Sequence, residues 1–266
     1  MIGVRLEGGL GNQMFQYAAA RALAHRHDAG VVFDTSFYET SPNRFFLLDR
    51  LGVAARKTHP GELAGMRAYR EKSFTWDAVF EELPDGTLLE GYWQSGRYFS
   101  GIRESLLEEL KPKAPLGAAA QNIADLILGS EAVSLHVRRG DYAADPTTRR
   151  YHGLCGIDYY KEAVARITES RPRAHFFLFS DDAEWTRQNI LPWVPRAVVA
   201  GPHAREEEDL RLMSLCRYHI TANSSFSWWG AWLSQNADKI VYAPKKWFAG
   251  ADLDTSDLIP ASWTRL

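Results

Sequence analysis

IGVRLEGGLGNQMFQYAAARALAHRHDAGVVFD, residues 2–34, reads as strand, glycine-rich turn, helix and strand in succession. The apolar-rich run at 2–6 is broken by EGGLGN. From Gln13 to about His27, the residues Phe15, Ala18, Ala19, Ala22 and Leu23 recur at helical spacing. Asn12 stands where an N-cap is expected, and VVFD at 31–34 has the composition of a second strand. Two strands joined through a helix pair in parallel with a right-handed crossover, the repeating unit of α/β proteins.

The alternation continues outward. TLLEGYW (87–93) reads as a strand, and a helix near 100–110 ends at Lys111-Pro112. KPKAPLG (111–117), with two prolines and a glycine, reads as a linker. Beyond it SLHV (134–137), HFFLF (175–179), VVAG (198–201), HITA (219–222) and IVYAP (240–244) alternate with helices at 158–169, from 183, near 206–216 and near 226–235. The stretch 40–87 gives weaker signals and is expected to hold helices and loops. The predicted fold class is α/β: two domains, 1–115 and 116–266, with parallel sheets facing across a cleft. Clefts and strand ends are where ligands bind in such folds.

Composition narrows the function. The chain has 266 residues, 45% hydrophobic and 24% charged, which excludes disordered and collagen-like classes. Before Pro115 there are 14 basic and 15 acidic residues; subtraction from the totals of 31 and 33 leaves 17 and 18 after it. Neither part has the basic excess of a nucleic-acid binder. Cys155 and Cys216 form neither a disulfide framework nor a metal-ligand spacing and read as free thiols in a reducing compartment. The start MIGVRLEGG lacks the apolar core of a signal peptide, and no apolar run approaches the ~18 residues of a membrane span. A cytoplasmic setting is expected.

Five motifs carry chemistry. GGLGNQ (8–13) lies between a strand and a helix, where glycines admit a ligand to the backbone and helix-start N–H groups suit a phosphate; the same residues also serve as a capped tight turn. HVRRGDY (136–142) ends a strand with two arginines, whose planar forks match phosphate oxygens. Alternation along a strand turns one of them to the cleft and the other to Asp141 or a neighbouring acid. SDDAEW (180–185) follows HFFLF; its carboxylates either accept from a base or ribose, or cap a helix. ANSSFSWWGAW (222–232) offers small hydroxyl residues at a strand-to-helix junction and three tryptophans suited to packing. GYWQSGRYF (91–99) combines aromatic faces with Gln94 and Ser95, which suits a sugar or an aromatic cluster under a loop. A lone Asp-x-Asp, Asp252 with Asp254, lies in the C-terminal tail and is not expected to bind metal. A dinucleotide oxidoreductase remains an alternative, since Asp34 ends the second strand where a ribose-binding acid would stand; Met14 occupies the place of the third glycine. An adhesion module reading the Arg-Gly-Asp is another.

Together GGLGNQMFQYA, GYWQSGRYF, HVRRGDY, SDD and NSSFSWWGAWL resemble the α-1,2-fucosyltransferases of glycosyltransferase family 11, from Gly8 to about Pro244. HxRRGD is similar more widely to GDP-fucose-dependent fucosyltransferases. The resemblance implies a GT-B arrangement of two Rossmann-like domains, with GDP-fucose held mainly by 116–266. It also implies inverting transfer without metal or cofactor to the 2-hydroxyl of a galactose-terminated glycan. Without a metal, charge developing on the β-phosphate falls to arginine and helix-start N–H groups: Arg138 first, Arg139 second, with Asp141 beside them. Gly9, Gly11, Asn12, Asn223, Ser224 and Ser225 are the expected cradle, and His136, Asp181 and Asp182 the expected guanosine contacts. Asp34, Trp93, Gln94 and Ser95 are the expected acceptor side, and Asp34, Glu39 and Asp141 are candidates for the base. Gly96-Arg97 departs from the acid and lysine often found in relatives. Peripheral contact with a lipid-linked acceptor at the inner membrane face fits this scheme.

Overall fold

The computed structural model describes residues 1–59, 61–250 and 253–266, without the side chain of Asp141. The chain groups into two compact units. Met1–Lys113 with Leu253–Pro260 form the first, and Ala114–Asp252 with Ala261–Leu266 the second. A single cut at 115/116 would leave Leu253–Pro260 in the second unit; instead, the Asp257 carboxylate accepts from the Trp76 backbone N–H at 2.9 Å and from Arg97 at 3.1 Å, both in the first unit.

The first unit runs β1 (Ile2–Arg5), α1 (Leu10–Arg26), β2 (Val31–Asp34), α2 (Phe37–Thr40), β3 (Ala55–Lys57), β4 (Arg67–Arg70), β5 (Thr87–Glu90) and α3 (Arg103–Glu109). Its five strands are parallel in the order β3-β2-β1-β5-β4, with Val4 in register with Phe33 on one side and Leu89 on the other. Ile2, Val4 and Leu6 are fully buried. Two short strands, β3 and β4, occupy the stretch expected to hold helices and loops. Their sequences, ARK and RAYR, are mostly exposed and pair at the two edges of the sheet, so they carry no apolar signature. Helix α1 starts at Leu10 with Gly9 as its N-cap, not at Gln13 with Asn12. Gly8, at φ +78°, turns the chain directly into the helix.

The second unit runs α4 (Ala118–Leu128), β6 (Ala132–Val137), α5 (Gly140–Ala144), α6 (Pro146–His152), α7 (Ile157–Ser170), β7 (His175–Ser180), α8 (Ala183–Asn189), β8 (Ala197–Val199), α9 (Glu206–Leu215), β9 (Tyr218–Ile220), α10 (Ser225–Leu233), β10 (Ile240–Ala243) and β11 (Thr264–Arg265). Six parallel strands lie in the order β11-β10-β9-β6-β7-β8. Strand β6 is central and buried along its whole length. Helix α7 buries Tyr160, Ala163, Val164 and Ile167, a single stripe at helical spacing. Gly230 of α10 has no room for a side chain: a Cβ there would stand 2.9 Å from Met213 Cβ of α9. Trp228, Trp229 and Trp232 are packing residues, with ring centroids 5.0–6.2 Å apart.

Candidate active site

Each sheet changes direction once. In the first unit β1, β2 and β3 step to one side while β5 and β4 lie on the other. In the second, β6, β7 and β8 step one way and β9, β10 and β11 the other. Ligands of doubly wound folds bind outside the carboxyl ends of the strands at such a reversal. All the loops found here belong to the motifs singled out above: GGLGNQ and GYWQS after β1 and β5, HVRRGD and ANSSF after β6 and β9.

At the second reversal, chemistry is concentrated on two arginines. Arg138 Nη1 lies 2.8 Å from Asp181 Oδ2. The Arg139 backbone N–H donates to Asp181 Oδ1 at 2.8 Å, and its Nε to Asp182 Oδ2 at 3.4 Å. The Arg139 guanidinium stacks 3.8 Å above Trp185. Both arginines therefore pair with the SDD motif, which supplies the neighbouring acid of the expectation; the side chain of Asp141, the other expected partner, lies outside the described residues. Asp182 also caps α8 through the Trp185 N–H at 3.1 Å. Gly140 makes the packing possible, since a Cβ there would stand 2.4 Å from Asp181 Oδ2. Asp181 and Asp182 are thus engaged with arginines and a helix end. Each arginine retains 22% side-chain exposure, enough to meet an anion.

His136 is buried with its ring centroid 5.9 Å from that of Phe226. Burial pushes its pKa down to about 4, the Asp181 charge opposing and Arg138 adding to the effect, so the imidazole is neutral at pH 7. Its Nδ1 has no partner among the described residues. Ser224 is the N-cap of α10, with no side-chain capping bond. Asn223 is turned inward: its amide donates to the carbonyls of His152 at 2.9 Å and Trp247 at 3.2 Å, so its side chain braces loops. Beside it lies a cavity of about 370 Å³ lined by Cys155, Tyr159, Lys245, Lys246 and Phe248 among others. Burial raises the Cys155 thiol to about 11.

At the first reversal, Gln94 Nε2 donates to Asn12 Oδ1 at 2.9 Å, tying the GYWQS loop to the start of α1. The Gln94 amide oxygen is buried with no partner among the described residues. Trp93 is fully buried against Tyr69, Phe80 and Tyr98, and Ser95 is fully buried and caps the following turn through the Arg97 N–H at 3.3 Å. In this conformation neither Trp93 nor Ser95 offers its side chain to an acceptor. Asp34 accepts from Arg5 Nε at 2.8 Å and from the Ser36 N–H at 3.0 Å. Burial opposes its ionisation, but these bonds outweigh it and hold the pKa below its ordinary value, which suits an ion-paired carboxylate better than a base.

Several residues escaped the sequence reading. Gln13 donates to the Gly8 and Phe45 carbonyls and accepts from the Leu47 N–H, while Gln16 donates to Gly91 O and accepts from the Glu7 N–H. Polar residues inside a buried helix were the available signal. Arg44 reaches the GGLGNQ turn, its Nη1 3.4 Å from where a Cβ on Gly9 would stand. In the second unit His203 Nδ1 lies 2.6 Å from Asp209 Oδ1 at the carboxyl end of β8.

The comparisons with known proteins bear on the family and the fold. The profile of glycosyl transferase family 11 matches residues 68–265. An alpha-1,2-colitosyltransferase of Escherichia coli is 32% identical, covering 100% of this chain and 99% of its own. The O-antigen biosynthesis glycosyltransferase WbnK of the same species is 31% identical over 98% and 99% of the two chains. Among solved structures, an Arabidopsis thaliana FUT1 variant in complex with GDP aligns with TM-score 0.55 at 10% identity, covering 92% of this chain and 71% of its own. POFUT1 in complex with GDP aligns with TM-score 0.53 at 13% identity, covering 90% and 97%. These structures share the GT-B fold of two Rossmann-like units. Sequence and fold converge, and the chain belongs to glycosyl transferase family 11 as one of its glycosyltransferases.

Proposed function

We propose that the protein transfers L-fucose from GDP-β-L-fucose to the 2-hydroxyl of a terminal galactoside, with inversion. The observation that carries this reading is the pair Arg138 and Arg139, oriented by Asp181 and Asp182 at the strand reversal and accompanied by the start of α10. In the reaction the acceptor oxygen attacks the anomeric carbon, the bond from that carbon to the β-phosphate oxygen breaks, and the electron pair leaves with GDP. The hydroxyl proton passes to a base or to water. Negative charge grows on the β-phosphate, and the arginines meet it with fixed donors that need no reorganisation. Asp181 and Asp182 act by holding those donors in place. His136 Nδ1 is a buried group left for the nucleotide, and the Ser224-Ser225 helix start is the remaining donor contact.

The second unit is the donor side and the first the acceptor side. Gln94, with its unpartnered amide oxygen, is the acceptor contact that the first unit supports best. The arginine pair takes the part of a divalent cation, so no metal is required. Synthesis of a surface glycan in the cytoplasm, with a lipid-linked acceptor at the inner membrane face, fits a chain in which no helix among the described residues is long and apolar enough to cross a membrane.

The identity to a colitosyltransferase supports a second donor reading, in which the same linkage is made with colitose. A panel of fucosyl and colitosyl nucleotides, each offered with β-galactoside and non-galactoside acceptors, tests both. Transfer from GDP-fucose to galactosides alone is expected. Transfer only from the colitosyl donor would replace the donor assignment, and stabilisation by NAD with no transfer would remove the function.

A further inference from the structure

The loop that carries Gln94 is held in a conformation that glycine suits at position 91 and that Trp93 disfavours. Gly91 has φ +144° and Trp93 φ +57°, and a bulky side chain such as tryptophan rarely adopts the latter. Such backbone persists only where the surroundings over-determine it, and it concentrates at ligand sites. Here the surroundings are specific. Glu71, which follows β4, accepts the Tyr92 N–H at Oε2, 2.7 Å, and the Trp93 N–H at Oε1, 3.0 Å. Gly91 passes directly over it: a Cβ on Gly91 would stand 2.4 Å from Glu71 Cβ. On the far side Gln16 holds the Gly91 carbonyl at 3.1 Å, and Gln94 reaches Asn12.

We infer that Glu71 is a positioning residue for acceptor recognition, its carboxylate receiving two successive N–H groups of the loop at 91–95 and so fixing Gln94 at the crevice. The inference rests on the reading of that loop as the acceptor side. Both oxygens are occupied by backbone donors, so Glu71 shapes the site without taking the acceptor proton. Only the ionised form accepts both N–H groups without placing a proton of its own against one of them. Burial raises the Glu71 pKa to about 7, the Trp93 and Tyr92 bonds opposing and the Glu7 charge adding to the rise. The titratable groups coupled to it are Glu7, after β1, and Tyr98, in the turn that follows the loop. Acceptor recognition should therefore weaken as pH falls through about 7, while nucleotide binding does not.

The test uses the full chain with GDP-fucose and a β-galactoside. Glu71→Ala is expected to raise the acceptor KM by about 10-fold or more, with kcat changed by less than about threefold and GDP affinity unchanged, the pattern of lost ground-state positioning. Glu71→Gln, which keeps one acceptor oxygen, should be intermediate and should lose the inflection near pH 7 in acceptor kcat/KM. It also decides the matter if the alanine variant does not fold. Gln94→Ala is the control for the underlying reading. If it raises the acceptor KM while both Glu71 variants leave it unchanged, the positioning role is wrong. If none of the three moves the acceptor KM, the acceptor-side reading is wrong and the inference falls with it. A loss of kcat of about 10³-fold in Glu71→Gln at unchanged KM would make Glu71 the base instead.

Discussion

At the residue scale the proposed reaction depends on what the arginines do in the transition state. Arg138→Ala should lower kcat by about 10²–10³-fold with a smaller loss of GDP-fucose binding, because the β-phosphate gains charge only as the sugar leaves. Arg138→Lys should rescue poorly, since a point charge does not reproduce the fork. Steady-state kinetics with calorimetric GDP titration checks both, and normal kcat in Arg138→Ala with loss in Arg139→Ala would exchange the roles. Asp181 supports Arg138 at 2.8 Å. Asp181→Asn should therefore lower kcat by about 10-fold or more with nucleotide selectivity intact, because it removes a charge-assisted bond. A switch in base preference, measured as GDP against UDP affinity, would return Asp181 to the guanosine contact. The residue types of the site were legible because motifs list them in order. Their orientation was not: Trp93 and Asn223 are inward because neighbouring aromatics and carbonyls enclose them, and a motif read as a string does not show which way its side chains turn.

At the element scale the long buried strands were legible and the edge strands were not. AVSLHV and HFFLFS announce themselves through continuous apolar runs, since both faces of a parallel sheet are covered. ARK and RAYR carry arginines along the sheet edges, where one side meets solvent. The start of α1 was misread because Asn12 has the chemistry of a cap but spends its side chain on Gln94. The turn at 91–95 is sensitive to mutation at two positions. Gly91→Ala meets both a positive φ and a 2.4 Å contact with Glu71 Cβ. Trp93→Ala, in urea denaturation, should cost about 3–5 kcal/mol, the usual range for emptying a fully buried tryptophan site. A loss under about 1 kcal/mol would mean that the ring is not packed as described.

At the scale of the whole molecule, each sheet brings two motifs, far apart in sequence, to one strand reversal. Alternation of strands and helices made the two α/β units legible. The return of Leu253–Pro260 to the first unit was not, because the partners of Asp257 there lie 160 and 181 residues away in the sequence. Charge handling is a property of this whole arrangement. Activity should survive EDTA, since in the proposed reaction arginines and helix-start N–H groups meet the charge that a divalent cation would otherwise offset. Loss of turnover in the chelator, restored by magnesium or manganese, would reject that assignment.

The central claim is inverting transfer to one hydroxyl of one sugar, and the product itself reports on it. Nuclear magnetic resonance of the disaccharide formed from GDP-β-L-fucose and a β-galactoside gives anomeric configuration and linkage together. An α-L-fucoside on the 2-hydroxyl of galactose is the predicted product. A β-fucoside would contradict the single displacement, and an α-fucoside on any other hydroxyl would contradict the acceptor assignment.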